Sequence, residues 1–355
     1  MGMDNYKEKI FIILLSSIIA TTTLSNNSIK VGNRKASLYN TLINNKYLSN
    51  DEVDNLYSLL VDEFNYGRIK IINNKLNYIY YKLNKTYSDY DDYLDCLTGE
   101  YLLLPDDNNM VFQGIACYED NIIISAYNEN RVFKSCLYVI NKDNNNIKKV
   151  MLDNSSHVGG IAYDDVNKLL WVTVKDKLYG YDINDVLFKN EINKRYETIL
   201  LSDIGNYSFL TYRDNRLYIG NYRFNSNSVI KVYKLSKSNI NSNINFIPEG
   251  ILEIPSKVQG VDFITVDKEV YLLLSRSCYI FYDSEILIYR YDKNNNNYID
   301  NYISKINCPP MLEEILVEDD KILTLYESGS SKYSDCLTNI NHIYYSNIKR
   351  KIRKK

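Results

Sequence analysis

The chain has 355 residues, and its 42 Lys and Arg nearly balance its 44 Asp and Glu, so its formal net charge at pH 7 is −2. This balance argues against nucleic acid as a partner, because proteins that bind it carry a clear excess of basic residues. The length allows a full hydrophobic core, in one large domain or in two smaller ones. The 35 tyrosines favour a sheet-rich fold, since tyrosine is a good strand former.

An apolar stretch from Ile10 to Leu24 follows a short segment that carries Lys7 and Lys9. As a helix it would rise about 22 Å, which is short of the hydrocarbon core of a bilayer at about 30 Å. We therefore interpret residues 1–29 as a secretory signal peptide, or as an uncleaved signal anchor, since no small-x-small cleavage site is clear. Both alternatives predict a protein outside the cytoplasm, either secreted or associated with the cell envelope.

Residues 30–98 are interpreted as an N-terminal helical segment followed by a linker. Ser49 and Glu52 form a capping box, the signal of a helix start. The apolar residues that follow at helical spacing are Val53, Leu56, Leu60 and Phe64. The pattern predicts a helix over Asp51–Asn65, and the polar stretch Asn84–Asp95 has no period and predicts a linker.

From Gly99 onward, one short phrase occurs five times and leads each time into a strand. Its versions are Gln113-Gly114-Ile115, Gly159-Gly160-Ile161, Ser208-Phe209-Leu210, Gln259-Gly260-Val261 and Glu313-Glu314-Ile315. The spacings of 46, 49, 51 and 54 residues match one four-stranded propeller blade. The first four repeats each offer four strands of period two, and Tyr298–Ser304 is the predicted outer strand of the fourth repeat. The last repeat offers only three strands.

The missing strand of the last repeat has a candidate upstream. Glu100–Leu104 precedes the first repeat without a partner, and adding it to the final blade would close the ring and remove both free edges. The sequence therefore predicts an all-β fold over residues 99–348, a β-propeller with five blades. The alternative has six blades and uses Arg68–Ile72 and Tyr78–Leu83 in a further sheet.

The second repeat is the best copy of the pattern, with Gly160-Ile161-Ala162-Tyr163-Asp164 running into Leu169-Leu170-Trp171-Val172. On these residues the chain resembles the six- and seven-bladed propellers of the senescence-marker/gluconolactonase type and of the NHL type. His157–Asp164 and Leu325–Tyr333 also resemble stretches of uncharacterised exported propellers of Gram-positive bacteria. The resemblance implies a fold and little chemistry, because many activities share the motif.

Positions just before the first strand and just after the second strand of each blade should converge on one mouth of the central channel. They include the candidate ligand-binding residues Gln113, Tyr127, Asn128, Asn221, Arg223, Gln259, Arg276, Glu327 and Ser328, together with His157 and Glu313. Concave sites with a few convergent polar groups are where ligands usually bind. The alternative is a solvated rim of ordinary turn residues.

His157 and Glu313 are the candidate catalytic residues. As a general base, His157 would need a carboxylate to orient it, and Glu313 or Glu327 could supply one across the channel; a hydrogen bond that stabilises a turn is the alternative role. Of the pair Glu313-Glu314, only one side chain can face the channel axis, because successive strand residues face opposite ways. The resemblance to lactonases implies a divalent ion in a cage of carboxylates and amides, for which Glu313, Asn128 and Asn221 are candidates by position.

The function predicted from the sequence is that of an exported propeller which binds a ligand through the channel mouth. The partner would be a small molecule or a cell-surface or extracellular protein. The alternative is a metal-assisted hydrolase of the lactonase or esterase type, in which His157 handles protons. Enzyme and binding module both remain open, and the candidate cofactor is Ca²⁺ or another divalent ion.

Two further features bear on the surroundings of the protein. Residues 349–355 (KRKIRKK) form a basic run, interpreted as a solvated tail or as a contact with an anionic membrane or cell wall. The six cysteines are compatible with disulfides, and their spacing selects no pairing.

Overall fold

The structure, a computed structural model, describes residues 90–107, 109–195, 197–200, 207–237, 244–278, 282–292, 297–298, 301–333, 336 and 338–353. All of them belong to one compact unit, Tyr87–Lys355. The predicted signal segment, the predicted helix over Asp51–Asn65 and the two strands of the six-bladed alternative lie outside the described residues. Within the described part of the chain, no helix is long and apolar enough to cross a membrane.

Five antiparallel sheets follow one another along the chain. Blade 1 contains β2 (Met110–Tyr118), β3 (Asn121–Asn128), β4 (Cys136–Asn141) and β5 (Ile147–Met151), and blade 2 contains β6 (Val158–Asp164), β7 (Leu169–Val174), β8 (Lys177–Asp182) and β9 (Glu197–Leu200). Blade 3 contains β10 (Phe209–Arg213), β11 (Arg216–Gly220), β12 (Ser228–Lys237) and β13 (Ile244–Ile254).

Blade 4 contains β14 (Val258–Val266), β15 (Glu269–Arg276) and β16 (Ser284–Asp292), and both β17 (Asn297–Tyr298) and β18 (Ser304–Cys308) pair with β16. Blade 5 contains β19 (Leu312–Glu318), β20 (Lys321–Tyr326), β21 (His342–Ser346) and β1 (Leu97–Leu103). The first strand of each blade contacts the first strands of both neighbouring blades, so β2, β6, β10, β14 and β19 form a closed ring. The chain is a five-bladed β-propeller, as predicted.

The strand that closes the ring is also the predicted one. β1 pairs antiparallel with β21, with Tyr101 opposite Tyr344 and Leu103 opposite His342. The final blade is thus built from both ends of the described chain, which leaves neither end of the ring open. The observed strand begins slightly earlier than the predicted Glu100–Leu104.

Four of the five repeat phrases coincide with an irregularity of the inner strand. The register shifts at the phrase in β2, β6, β14 and β19, and such bulges re-aim a side chain. The glycines of the phrase allow neighbouring inner strands to approach closely. A Cβ atom on Gly160 would lie 2.3 Å from the backbone nitrogen of Leu210 in the next blade. The repeat therefore encodes the contact between blades as well as the start of each strand.

The hydrophobic core consists of five clusters, and each fills the space between two adjacent blades. The cluster between blades 2 and 3 contains the fully buried Trp171, which forms a T-shaped pair with Phe246 at 5.4 Å between ring centroids. Burial of apolar surface is the main force that holds such an arrangement together. Each blade is consequently stabilised by its two neighbours rather than by a core of its own.

The outer strand of blade 4 differs from the prediction Tyr298–Ser304. The segment that pairs with β16 over five residues is β18, with Ile306 opposite Ile286 and Cys308 opposite Ser284. Ile306 and Cys308 are both fully buried, so their alternation sets the register of the strand. The prediction placed the strand at the tyrosine-rich segment, which contributes only the two-residue β17.

The basic run at the end of the chain is not an extended tail in its described part. Lys349–Arg353 forms a short helix, α3, after α1 (Asp91–Leu94) and α2 (Ile183–Phe188). Its Ile352 is buried in the cluster that also contains Tyr90 and Tyr93. Burial of the apolar Ile352 side chain explains why this charged segment packs against the propeller. All six cysteines are free thiols, and five of them are buried.

Candidate functional site

Three predicted site residues meet where blades 5 and 1 adjoin. Glu313 lies in the bulge of β19, Gln113 lies in the bulge of β2, and Glu327 follows the end of β20. The Gln113 amide nitrogen donates a short hydrogen bond to the Glu327 carboxylate and another, of 2.7 Å, to the carbonyl oxygen of Phe112. The three side chains are only 2% to 7% exposed. We call this end of the ring of inner strands the channel mouth.

The two carboxyl groups of the channel mouth are strongly perturbed. Burial raises the pKa of Glu327 to about 7, although hydrogen bonds from Gln113 and Tyr333 and the charge of Lys332 act in the opposite direction. Burial also raises the pKa of Glu313 well above its ordinary value, and the neighbouring charge of Glu327 raises it further. Both shifts favour the protonated form of these two carboxyl groups.

One buried acceptor at the channel mouth lacks a donor among the described residues. The carbonyl oxygen of the Gln113 side chain is buried and receives no hydrogen bond from them. Buried polar groups in folded proteins are normally paired, so this oxygen is available to a donor from outside the described residues.

Lys332 contacts Tyr127 and Tyr333, and the Tyr127 ring packs against His157. The Lys332 ammonium donates a hydrogen bond of 2.6 Å to the Tyr127 hydroxyl. It lies 5.2 Å from the ring centroid of Tyr127 and 4.9 Å from that of Tyr333. The His157 ring packs against the Tyr127 ring, with 4.5 Å between their centroids. Burial lowers the pKa of His157 to about 4, helped by the charges of Lys332 and Arg131, so its imidazole is neutral at pH 7.

Lys332 and Tyr333 are candidate site residues that sequence reasoning missed. They lie on a one-turn 3-10 helix, Ser331–Tyr333, which follows a similar turn at Glu327–Gly329 in the connection between β20 and β21. The predicted residues of the channel mouth ended with Ser328, immediately after the strand. The length of this connection was the available signal, because a long loop between two strands of a blade is commonly a functional one.

The other predicted polar residues are engaged in their own blades. The Asn128 side-chain oxygen accepts hydrogen bonds from the backbone of Val132 (3.1 Å) and Phe133 (3.3 Å). The Asn221 side-chain oxygen accepts one of 2.5 Å from the Ser228 hydroxyl. These asparagines stabilise the turns that follow β3 and β11, as asparagine commonly does.

Of the predicted metal set Glu313, Asn128 and Asn221, only Glu313 has a side-chain acceptor to which no described residue donates a hydrogen bond. Within the described part of the chain, no three His, Cys, Asp or Glu side chains are grouped so that they could hold a metal ion. The residues present therefore offer one carboxyl group, rather than a cage, to a divalent ion.

The last four predicted positions are Arg276, Ser328, Gln259 and Arg223. Arg276 donates hydrogen bonds to the Ser256 carbonyl oxygen (2.8 Å) and to the Glu285 carboxylate (3.0 Å). Ser328 is fully buried and accepts a hydrogen bond of 3.3 Å from the backbone of Ile340. Gln259 is half-buried in the bulge of β14, and Arg223 is exposed.

A second pair of buried carboxyl groups lies further along the inner strands. Glu314 accepts hydrogen bonds of 3.1 Å from the backbone of Val261 and of Ile315. Asp262 accepts one of 2.5 Å from the backbone of Val317, so each acid binds the inner strand of the other blade. Burial raises the pKa of Asp262 to about 6 and that of Glu314 well above its ordinary value. This pair joins blades 4 and 5 through hydrogen bonds from the backbone.

No protein-family model matches the chain, and no curated protein matches its sequence. Solved structures of related shape include a chain of a nidogen–laminin complex, with a TM-score of 0.36, 10% identity, and coverage of 64% of this chain and 84% of that one. A GH32 β-fructofuranosidase of Bombyx mori has a TM-score of 0.40 and 12% identity. The similarity covers 71% of this chain and 61% of the fructofuranosidase chain.

A chain of a mitotic checkpoint complex has a TM-score of 0.36 and 10% identity, with coverage of 70% of this chain and 91% of that one. These similarities carry neither activity nor partners over to this chain. The propeller fold rests on the five sheets and the closed ring described above.

Proposed function

We propose that the chain binds a small polar ligand at the channel mouth, through Gln113, Glu313 and Glu327. The observation that carries the proposal is the buried Gln113 side-chain oxygen, which receives no hydrogen bond from a described residue and lies beside the Glu327 carboxylate. A buried polar group that stays unpaired costs about 1–3 kcal/mol, which a ligand with N–H or O–H donors would recover. The rings of Tyr127 and Tyr333 supply an apolar border, as ligand sites commonly do.

The test is a search for ligands by thermal shift with sugars, polyols, amines and amino acids, followed by titration of each compound that stabilises the protein. For a true ligand of the channel mouth, Glu313→Gln and Gln113→Met should each raise Kd at least tenfold. Glu129→Gln serves as the matched control, because Glu129 is exposed beside the mouth. A ligand whose affinity survives both substitutions would place binding elsewhere and contradict the proposal.

A second candidate function is hydrolysis of a lactone, ester or glycosidic bond. It is favoured by the contrast between two adjacent carboxyl groups, of which Glu327 is hydrogen-bonded and Glu313 is not. Two carboxyl groups in different environments are the usual basis of acid–base chemistry. In this role, Glu313 would protonate the leaving oxygen, and Glu327 would take a proton from the water that attacks the carbon.

The hydrolase alternative is tested with lactone, ester and glycoside substrates. An active protein should lose activity by about 10²–10⁴-fold in both Glu313→Gln and Glu327→Gln, since general acid–base groups contribute about that much. Treatment with EDTA and with added Ca²⁺ separates the two versions of the mechanism. Loss of activity on chelation would support the metal-assisted version with Glu313 as a ligand, and retention would support acid–base chemistry by the two glutamates.

We further infer that the protein is exported and meets its ligand, or a cell-surface or extracellular partner, outside the cytoplasm. The apolar stretch Ile10–Leu24 motivates this inference. Fractionation of expressing cells, with determination of the N-terminal residue of the product, tests it. Recovery of the full chain from the cytoplasmic fraction alone would contradict export.

A further inference from the structure

We propose that Cys117 and Lys142 form a site of oxidative modification, in which hydrogen peroxide joins the two side chains through a covalent sulfur–nitrogen bond. The carrying observation is a cluster of a thiol, an amine and a carboxylate at the end of β2. The inference does not depend on the proposed function, because Cys117, Lys142 and Glu318 are not among the residues of the channel mouth.

The three side chains of this cluster are in direct contact. The Cys117 thiol donates a hydrogen bond of 2.9 Å to a carboxylate oxygen of Glu318. The Lys142 ammonium donates one of 2.5 Å to the same oxygen, and its nitrogen lies 3.9 Å from the Cys117 sulfur. Cys117 and Lys142 belong to blade 1, whereas Glu318 is the last residue of β19 in blade 5. The carboxylate of one blade therefore holds the sulfur and the nitrogen of the next blade against each other.

Solvent has access to this cluster. Of the six cysteines, Cys117 is partly exposed and the other five are buried. The side chains of Lys142 and Glu318 are 24% and 15% exposed. Exposure and ionisation decide how readily a thiol is oxidised, so Cys117 is the cysteine that a small oxidant in solution reaches first.

The Cys117 sulfur needs a base in order to react. Burial and the hydrogen bond to Glu318 raise the pKa of Cys117 to about 12, so the thiol keeps its proton at neutral pH. The thiolate is the nucleophilic form of a cysteine. The Glu318 oxygen already accepts the hydrogen bond of the thiol, and it is thus placed to take this proton as the sulfur attacks the oxidant.

The modification takes place in two steps. The sulfur attacks one oxygen of hydrogen peroxide, the O–O bond breaks, and the second oxygen leaves as water with the thiol proton, which converts the thiol to a sulfenic acid. The Lys142 ammonium then releases one proton, its nitrogen attacks the sulfur, and the sulfenic hydroxyl leaves as water with a further proton from the nitrogen. In sum, one thiol, one ammonium and one peroxide give one sulfenamide, two waters and one proton. Sulfur loses two electrons and peroxide gains them.

The product is a reversible fastener within blade 1. The bond joins residues that are 25 positions apart, so it ties the end of β2 to the turn after β4 and removes the charge of Lys142. Two thiols of a reductant restore the original side chains, because they return both hydrogen atoms and leave as a disulfide. The site therefore records exposure to peroxide until a thiol reductant is present.

The experiment treats the full chain with hydrogen peroxide and analyses its proteolytic peptides by mass spectrometry. Wild type should give a linked pair of peptides that carry Cys117 and Lys142, lighter than the two reduced peptides together by two hydrogen atoms, and dithiothreitol should remove it. Lys142→Arg keeps the positive charge beside Glu318 but loses the nucleophilic amine, so its yield of linked peptides should be at least tenfold lower. In this variant, dimedone should trap the sulfenic acid instead.

Lys148→Arg is the matched control, because the Lys148 ammonium donates a hydrogen bond to the Leu187 carbonyl oxygen and not to the cluster; it should be linked as wild type is. Oxidation of Cys117 to sulfinic acid without a linked pair would overturn the inference, as would a thiol that stays free in peroxide or an equal yield in Lys142→Arg. If Lys142→Arg does not fold, reductive methylation of wild type blocks the amine and keeps its charge. A linked pair that survives methylation then overturns the inference.

Discussion

The properties of Glu327 depend on its surroundings in the folded protein. It follows the end of an ordinary strand, where a glutamate would normally be solvated. Here it is 6% exposed and accepts a hydrogen bond from Gln113, which lies 214 residues away in the chain. Burial disfavours its charged form, and this gives the stability of the protein a dependence on pH.

We predict that Glu327→Gln flattens the pH dependence of unfolding between pH 4.5 and pH 7. The native pKa of Glu327 is about 7 and the ordinary value is 4.5, so the native state holds the proton more tightly. Its contribution is fully present below pH 4.5 and is lost as the pH rises through 7. The free energy of unfolding of wild type, measured by urea denaturation, should fall relative to the variant by at most about 3 kcal/mol over this range.

The same measurement separates Glu327 from other titrating groups. His157 acts in the opposite direction, because its native pKa is about 4; it adds stability above pH 6.5 that is lost as the pH falls towards 4. Asp262 has a raised pKa of about 6 and acts in the same direction as Glu327. Both groups are present in wild type and variant, so they cancel in the difference. Glu313 does not cancel, because the charge of Glu327 raises its pKa, so the difference reports the pair of glutamates. Parallel curves for the two proteins would show that Glu327 is solvated.

At the scale of elements, the inner strands are positioned by their bulges. The register shifts in β2 and β19 turn Gln113 and Glu313 towards the channel mouth. The glycines beside the bulges let the inner strands of adjacent blades touch, which keeps the ring of five narrow. The repeated phrase therefore serves the packing of adjacent inner strands. The residue at its first position differs from blade to blade.

We predict that Gly160→Ala destabilises the protein by about 3 kcal/mol or more, because overpacking forces backbone to move. The added Cβ would lie 2.3 Å from the backbone nitrogen of Leu210 and 2.5 Å from the Cα of Phe209, both in the next inner strand. Gly99→Ala is the matched control, because nothing lies within 4 Å of the position that its Cβ would take. The only expected cost of this substitution is backbone strain, since Gly99 has a φ of +86°. That strain costs about 1 kcal/mol. Equal losses in chemical denaturation would refute the packing role of Gly160.

The two ends of the described chain hold each other at blade 5. The backbone of Asn347 donates a hydrogen bond of 2.7 Å to Cys96, and Lys351 pairs with Asp92. Ile352 adds apolar contact to the same region, where it shares a cluster with Tyr93. The helix α3 thus supports the closure of the ring.

We predict that Ile352→Ala lowers the free energy of unfolding by about 2 kcal/mol, the lower end of the range for a buried isoleucine. Arg353→Ala is the control, because its side chain forms an exposed pair with Asp267 and such pairs contribute little. The Tm of Ile352→Ala should fall clearly below that of Arg353→Ala. Equal Tm values would indicate that the segment is held by its charges instead.

At the scale of the whole molecule, the propeller closes because β1, which precedes the first repeat, completes the blade of the last repeat. Five apolar clusters between the blades then hold the ring, and each depends on residues from two repeats. Removal of any one blade would expose two of these clusters. The channel mouth belongs to this level of organisation, because blades 1, 2 and 5 all contribute side chains to it.

The sequence by itself determined the number of blades, the exchanged strand and the presence of Gln113, Glu313 and Glu327 at one end of the ring. These features are local or periodic, and spacing and alternation encode them directly. Only the tertiary structure decided that Lys332 and Tyr333 border the site, that Asn128 and Asn221 stabilise turns, and that β18 is the main outer strand of blade 4. Those outcomes depend on burial among residues far apart in the chain, which no local pattern specifies.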